Sequence, residues 1–353
     1  MDRAAQAGRR AVSVVPDIAG LRRRNGRKRH VAIATLACLV LLGTALTLSI
    51  GQTVTTPLTV IASLTGQETG GEAFTIRVLR LPRALVAALA GMCFGMGGVA
   101  FQTLLRNPLA SPDIIGISAG ASTAAVFCIV VLQLSGAAVS VAAVAAGLGV
   151  ALLIYLLAWK GGAAGARLIL VGIGIAAMLQ SFTAYLLTQA PSWSLQQALR
   201  WMTGSVNGAQ LDQALPLAGA LLIFGGALFA MGRDLEALRM GEEMAAGLGV
   251  RTGLARITVT CAAVGLVATA TAATGPVAFV AFLAGPIAAR VLRRAGSLLM
   301  PSALTGAALV VVADFVGQVV LPARYPVGIV TGVLGAPYLL YLIVRDNRTG
   351  SAL

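Results

Sequence analysis

Only twelve acids occur among the 353 residues, and where they stand limits the chemistry this chain could perform. Four of them, Asp234, Glu236, Glu242 and Glu243, are gathered in RDLEALRMGEEMAAGLGVR, residues 233–251. Asp314 is the one acid well inside an apolar run, where a carboxylate suggests a proton relay or a structural hydrogen bond. On the basic side, Arg80 and Arg83 flank Leu-Pro in RLPR, directly before an apolar run. The rest of the catalytic inventory is thin. Lys28 and Lys160 are the only lysines, neither follows a GxxxxGK[ST] phosphate loop, and His30 is the sole histidine. Cys38, Cys93, Cys128 and Cys261 all fall in apolar runs without paired spacing, which reads as packing and neither as disulfides nor as metal ligands. Such a chain is expected to conduct something and not to transform it. No catalytic residue, metal site or cofactor is read from it.

The elements that must position these groups follow from hydropathy. Hydrophobic residues make up 58% of the chain and charged residues 11%, too few to clothe a water-soluble fold. A bilayer core of about 30 Å takes about 20 apolar residues per helix, because backbone polar groups must be satisfied internally where there is no water. Runs of this kind lie at 31–51, 84–105, 114–132, 137–159, 168–187, 211–231, 254–273, 275–289, 303–321 and 327–344. The expected fold is therefore an all-α integral membrane protein of about ten spans. An even number puts both termini on one side. With the arginine-rich N-terminal tail in the cytoplasm, 21 of the 26 Lys and Arg fall inside, which matches the positive-inside trend. Arg77, Arg80, Arg83, Arg200 and Arg324 are left outside, and the first three crowd one helix entrance. The net charge of +14 is thus a matter of topology and not a nucleic-acid surface.

Three segments are set apart: a basic tail at 1–30, expected to be disordered and close to anionic lipid, one polytopic membrane domain at 31–345, and a short cytoplasmic tail at 346–353. Gly91 with Gly95 and Gly328 with Gly332 are small residues four apart, which lets helices approach closely. Pro276 and Pro286 bracket a span expected to be short or broken. On the outside, PSWSLQQALRWMTGSV at 191–206 suits an amphipathic interfacial helix.

Between Arg80 and Ser122 the chain reads RLPRALVAALAGMCFGMGGVAFQTLLRNPLASPDIIGISAGAS. This stretch resembles the iron-siderophore and cobalamin permease family (FecCD type), the membrane subunits of ATP-driven importers. The likeness continues through MGEEMAAGLGV after Arg239, GPVAFVAFLAGPIAAR after Thr274 and YPVGIVTGVLGAPYLLYLIVR ending at Arg345.

The resemblance implies a cobalamin-permease-like fold with a cytoplasmic coupling-helix loop, in which Gly241, Glu242, Glu243, Ala245, Leu248 and Gly249 rest against an ATP-binding-cassette ATPase subunit. It also implies that Arg80 and Arg83 meet carboxylates of an extracytoplasmic substrate-binding protein. Arginine's planar fork suits such pairing. Where the family carries a third docking arginine this chain has Gln318, and Arg324 is the nearby cation that could supply the charge. Asn107 and Leu109 match residues that narrow the cytoplasmic gate, facing Gly165 and Ala166, where the cobalamin permease has small hydroxyl residues. Ile287 stands where many members have histidine, while Pro286 and Arg290 are kept.

The implied function is a multi-pass permease of the inner cell membrane that imports ferric siderophores, paired with a second, related permease or a second copy. Cobalamin or haem import is the rival within the class. A proton-coupled transporter relying on Asp314 is the rival outside it.

Overall fold

The computed structural model describes residues 18–68, 70–111, 116–158, 164–292 and 296–349. Among these residues the only β pairing is an isolated bridge between Ile50 and Val54. The helices are α1 (Ile18–Ser49), α2 (Pro57–Thr65), α3 (Gly71–Leu104), α4 (Ile117–Val130), α5 (Ala137–Ala158), α6 (Ala164–Thr188), α7 (Ser192–Met202) and α8 (Leu211–Ala230). Then follow α9 (Gly232–Arg239), α10 (Glu242–Gly247), α11 (Thr252–Thr274), α12 (Val280–Val291), α13 (Leu299–Val320) and α14 (Val327–Thr349).

Among the described residues seven helices are long and apolar enough to cross a membrane, and α4, α12 and the 327–342 part of α14 are shorter apolar helices. Each of these ten coincides with one of the runs seen in the sequence. The amphipathic 191–206 stretch contains α7 as expected.

Helix α3 is the axis of the bundle, with α13, α11 and α12 packed around it. Its glycines explain the closeness. A Cβ on Gly91 would stand 2.5 Å from the Gly306 carbonyl oxygen, one on Gly95 2.1 Å from that of Ser302, and one on Gly98 1.9 Å from that of Ala281. Backbone meets backbone along one face, a contact no larger residue allows. Of the second glycine pair only Gly328 is pressed in this way, against the Thr203 carbonyl, while Gly332 has ordinary room. About 78% of the apolar stretch of α3 is buried, against 17% for α6, so α3 sits inside the protein and α6 offers its sides to lipid or to another subunit.

Two helices begin earlier than hydropathy indicates. α1 starts at Ile18 and runs unbroken through Arg22 to Arg29, so at least this part of the basic tail is helical and not disordered. Arg, Lys and Leu are good helix formers, and helicity needs no burial. Likewise α3 starts at Gly71, placing Arg80 and Arg83 within the helix. The turn at Thr75–Arg80 is a π-helix ahead of Pro82, whose missing amide cannot close an ordinary turn.

The break before α12 is real. Residues 275–279 leave the helical path and Phe279 adopts φ 63°, unusual for a bulky side chain. Non-helical backbone between membrane helices, where it is away from water, must be satisfied by protein. Here the 203–205 loop does so: the Ser205 amide donates to the Thr274 carbonyl at 2.6 Å and Gly204 lies against Pro276. Within α12, Pro286 has no amide to offer the Phe282 carbonyl one turn back. Gln102 of α3 takes that place, its Nε2 donating to Phe282 O at 2.9 Å, and Gly285 leaves the space the amide group occupies.

Candidate functional site

At the RLPR end, Arg80 points inward and is only 8% exposed. Its guanidinium donates to the carbonyls of Leu48 (2.8 Å) and Thr53 (2.7 Å) and to the hydroxyls of Thr53 (3.0 Å) and Thr55 (3.1 Å). It thereby closes the turn after α1, where Gly51 makes room for it.

Arg83 grips Asp314 in two places, Nε to Oδ2 and Nη2 to Oδ1, both at 2.7 Å, and its remaining nitrogen reaches Asn207 Oδ1 at 3.3 Å. Asp314 is 2% exposed. The one acid well inside an apolar run is therefore neutralised on the spot, and α3 is tied to α13. Arg77 also turns back, donating to the Ser63 carbonyl. All three arginines crowded at this helix entrance are thus engaged within the chain. Two of them, Arg80 and Arg83, were expected on the docking surface; here their donors already have acceptors, and Arg80 is buried.

The other two arginines of this end behave differently. The guanidinium groups of exposed Arg200 of α7 and exposed Arg324 of the 321–326 connection make no hydrogen bond or ion pair among the described residues, although the Arg200 carbonyl accepts from the Thr203 hydroxyl. Both line a cavity of about 1160 Å³, with Gln318 on a third element.

The opposite end of α3 carries the acidic connection, folded as two short helices, α9 and α10, joined at Gly241. Gly241 sits at φ 114° and Gly249 at φ 84°, which glycine alone tolerates easily. Ala245 is fully buried in a cluster with Ala237, Leu238 and Ala255, and Leu104 of α3 packs against that cluster, which seats the elbow on α3. Glu242 pairs with Arg256 at the start of α11. Facing away are Glu243 and Leu248 together with Met240 and Met244, the last 60% exposed. The two methionines are the residues missed from sequence. Apolar residues at 240, 244 and 248, one helical turn apart in a charged segment, were the available signal.

The RNPL turn lies beside this elbow. Arg106, at φ 50°, brings a guanidinium nitrogen to 3.5 Å from where a Cβ would stand on Gly241. Asn107 Oδ1 accepts from the Leu109 amide at 2.8 Å, a local turn-forming bond. Leu109 packs against Phe282, Leu283 and Leu342, joining the turn to α12 and α14. Gly165 and Ala166 fall in the first turn of α6, and their surroundings lie outside the described residues. Arg290 donates to the Tyr338 hydroxyl at 2.7 Å and lies over the rings of Tyr338 and Tyr341, fixing α12 to α14. Among the described residues no group of three or more His, Cys, Asp or Glu could hold a metal ion.

This geometry has counterparts. Over 90% of the chain and 99% of the other, the fold superposes on a metal-chelate type ABC transporter in an inward-facing conformation, with a TM-score of 0.77 at 24% identity. In sequence, the chain is 37% identical to the achromobactin transport system permease protein of Dickeya dadantii, covering 90% of this chain and 92% of the relative. It is 35% identical to the ferric enterobactin transport system permease protein of Escherichia coli, over 82% and 88%. It is 34% identical to the Fe(3+) dicitrate transport system permease protein of the same organism, over 89% and 99%. The description that matches residues 39–345 is the FecCD transport family, and with that match and these relatives the chain belongs to it.

Proposed function

We propose that this chain is the membrane permease of a binding-protein-dependent ABC importer, carrying ferric siderophores across the inner membrane on ATP hydrolysed by a partner subunit. The observation that carries the reading is the elbow of α9 and α10, a pair of short helices seated on Leu104 that turns Met240, Glu243, Met244 and Leu248 outward. Exposed apolar side chains rimmed by charge are the chemistry of a protein contact. On this reading Gly241 and Gly249 shape the elbow, Ala245 and Glu242 fasten it to the bundle, and the outward groups receive the ATPase. Asn107 and Leu109, with Gly165 and Ala166, form the cytoplasmic gate. The RLPR end faces the binding protein, with Arg80 and Arg83 bracing the surface from beneath and Gln318 and Arg324 at its rim. Both termini lie in the cytoplasm, and a second, related permease completes the pathway.

The iron-chelate cargo is supported by the relatives, whose names carry achromobactin, enterobactin and iron citrate. A proton relay through Asp314 is disfavoured because both of its oxygens are held by Arg83.

The test is uptake of a radiolabelled ferric siderophore into proteoliposomes holding the complete transporter, with its binding protein supplied. Accumulation that requires ATP and is not competed by cobalamin or haem is expected. Accumulation driven by a proton gradient without ATP would overturn the reading.

A further inference from the structure

Five arginines crowd the RLPR end and its connections, and the fold accounts for three. Arg77, Arg80 and Arg83 are held by a carbonyl, by two carbonyls and two hydroxyls, and by Asp314 with Asn207. Arg200 and Arg324 have no such partners among the described residues, although 124 residues separate them in the chain. Both line the same cavity of about 1160 Å³.

Around them the wall offers amides, from Gln197, Asn207 and Gln318, and a single acid, Asp212. Asn207 spends its oxygen on Arg83, which leaves its NH2 group as a donor. Other parts of the lining differ in kind: Val141, Val144 and Leu148 of α5 with Ala272 and Ala273 at the end of α11 are apolar.

The geometry points to a receiving site, formed within one permease, for an iron(III) chelate of net negative charge, with Arg200 and Arg324 as its anion-binding groups. This rests on the iron-chelate reading above and narrows it to polyanionic chelates. Guanidinium forks and amide donors match the carboxylate or phenolate oxygens that remain exposed on such a complex. Ligand cavities commonly span about 300–1,000 Å³, so a whole chelate fits here, and the apolar part of the lining suits the rings or methylenes of its organic frame. Two separated cations at one concave surface serve a small polyanion better than a flat protein contact. Arg324, at the rim of the docking surface, thereby also faces the cargo.

Binding of two probes to the complete transporter in lipid nanodiscs, without binding protein, tests the assignment: a polyanionic iron(III) tricatecholate and an uncharged iron(III) trihydroxamate. The wild type should bind the polyanion in preference. Arg200→Gln with Arg324→Gln should weaken that binding at least about tenfold and leave the uncharged chelate unchanged. Arg200→Lys with Arg324→Lys, which keeps the charge, should retain most of the preference and shows that the fold survives. No binding of the polyanion, equal binding of both probes, or an unaltered double Gln variant would each overturn the site. So would a tenfold loss of binding-protein affinity in the double Gln variant with chelate binding intact, which would return the arginines to docking. Failure of the parent reading is a separate result, namely no ATP-dependent uptake of any iron chelate by the wild-type transporter.

Discussion

At its Arg80 end α3 commits its charges inside the chain, whereas beside its Arg106 end the neighbouring groups are left facing out. Arg80 and Arg83 together engage backbone oxygens, hydroxyls, an amide and the Asp314 carboxylate. Across the bundle, Met240, Glu243, Met244 and Leu248 protrude from the elbow. Burial separates the two. An ionised group withdrawn from water must find partners at once, so sequence charge at the first end has become internal bracing. At the second end the groups remain in water, and a partner protein can still claim them. Substitutions at the first end should therefore be read out as stability, and those at the second as coupling with the fold intact.

The largest effect should come from Asp314→Ala, which leaves the Arg83 guanidinium in a nearly closed site without its counter-charge. Breaking a buried pair by removing one partner costs about 3–5 kcal/mol. Thermal unfolding of the purified protein in detergent should fall accordingly. The double change Arg83→Leu with Asp314→Leu should recover much of that loss, since an apolar replacement of both partners removes the orphaned charge. A double variant no better than the single would mean that the pair is not what ties α3 to α13.

Next comes Gln102→Leu. The Phe282 carbonyl, already without a helical partner because of Pro286, would lose its substitute donor. An unsatisfied buried carbonyl costs about 1–3 kcal/mol. Hydrogen exchange of the α12 amides should accelerate before that of α3. Uniform acceleration across both helices would argue that Gln102 supports the whole bundle and not the break.

What the sequence made legible was set by composition. Ten runs became ten helices because a bilayer-length apolar stretch has few alternatives to helix, and Pro276 and Pro286 announced the broken span. Partners were not legible. Arg83 and Asp314 are 231 residues apart, and half of the oxygens that hold Arg80 are backbone carbonyls, whose positions no side-chain type records. The RLPR arginines consequently read as surface groups. The basic stretch after Ile18 read as tail because its charges cannot be buried, yet helix formation does not require that they be. At the elbow the acids drew attention, although Glu242 is paired internally and Ala245 is packed inside, while the outward apolar face is made by the two methionines together with Leu248.

The smallest effect on the fold, and the sharpest on the comparison, is expected from Met240→Lys with Met244→Lys. Both side chains are more than half exposed and pack against no core, so stability should change by no more than about 0.5 kcal/mol for each. If these groups meet the ATPase, two desolvated ammonium groups would enter an apolar contact, and binding-protein-stimulated ATP hydrolysis coupled to uptake should drop at least about tenfold, equivalent to about 1.4 kcal/mol. Glu243→Gln, which removes a rim charge and leaves the apolar face intact, should cost less and show its effect mainly at low salt. Co-purification of the ATPase with each variant separates lost attachment from lost coupling. Unaltered uptake in the double Lys variant would place the contact elsewhere on the molecule, and the difference between the two ends of α3 would then be one of burial alone.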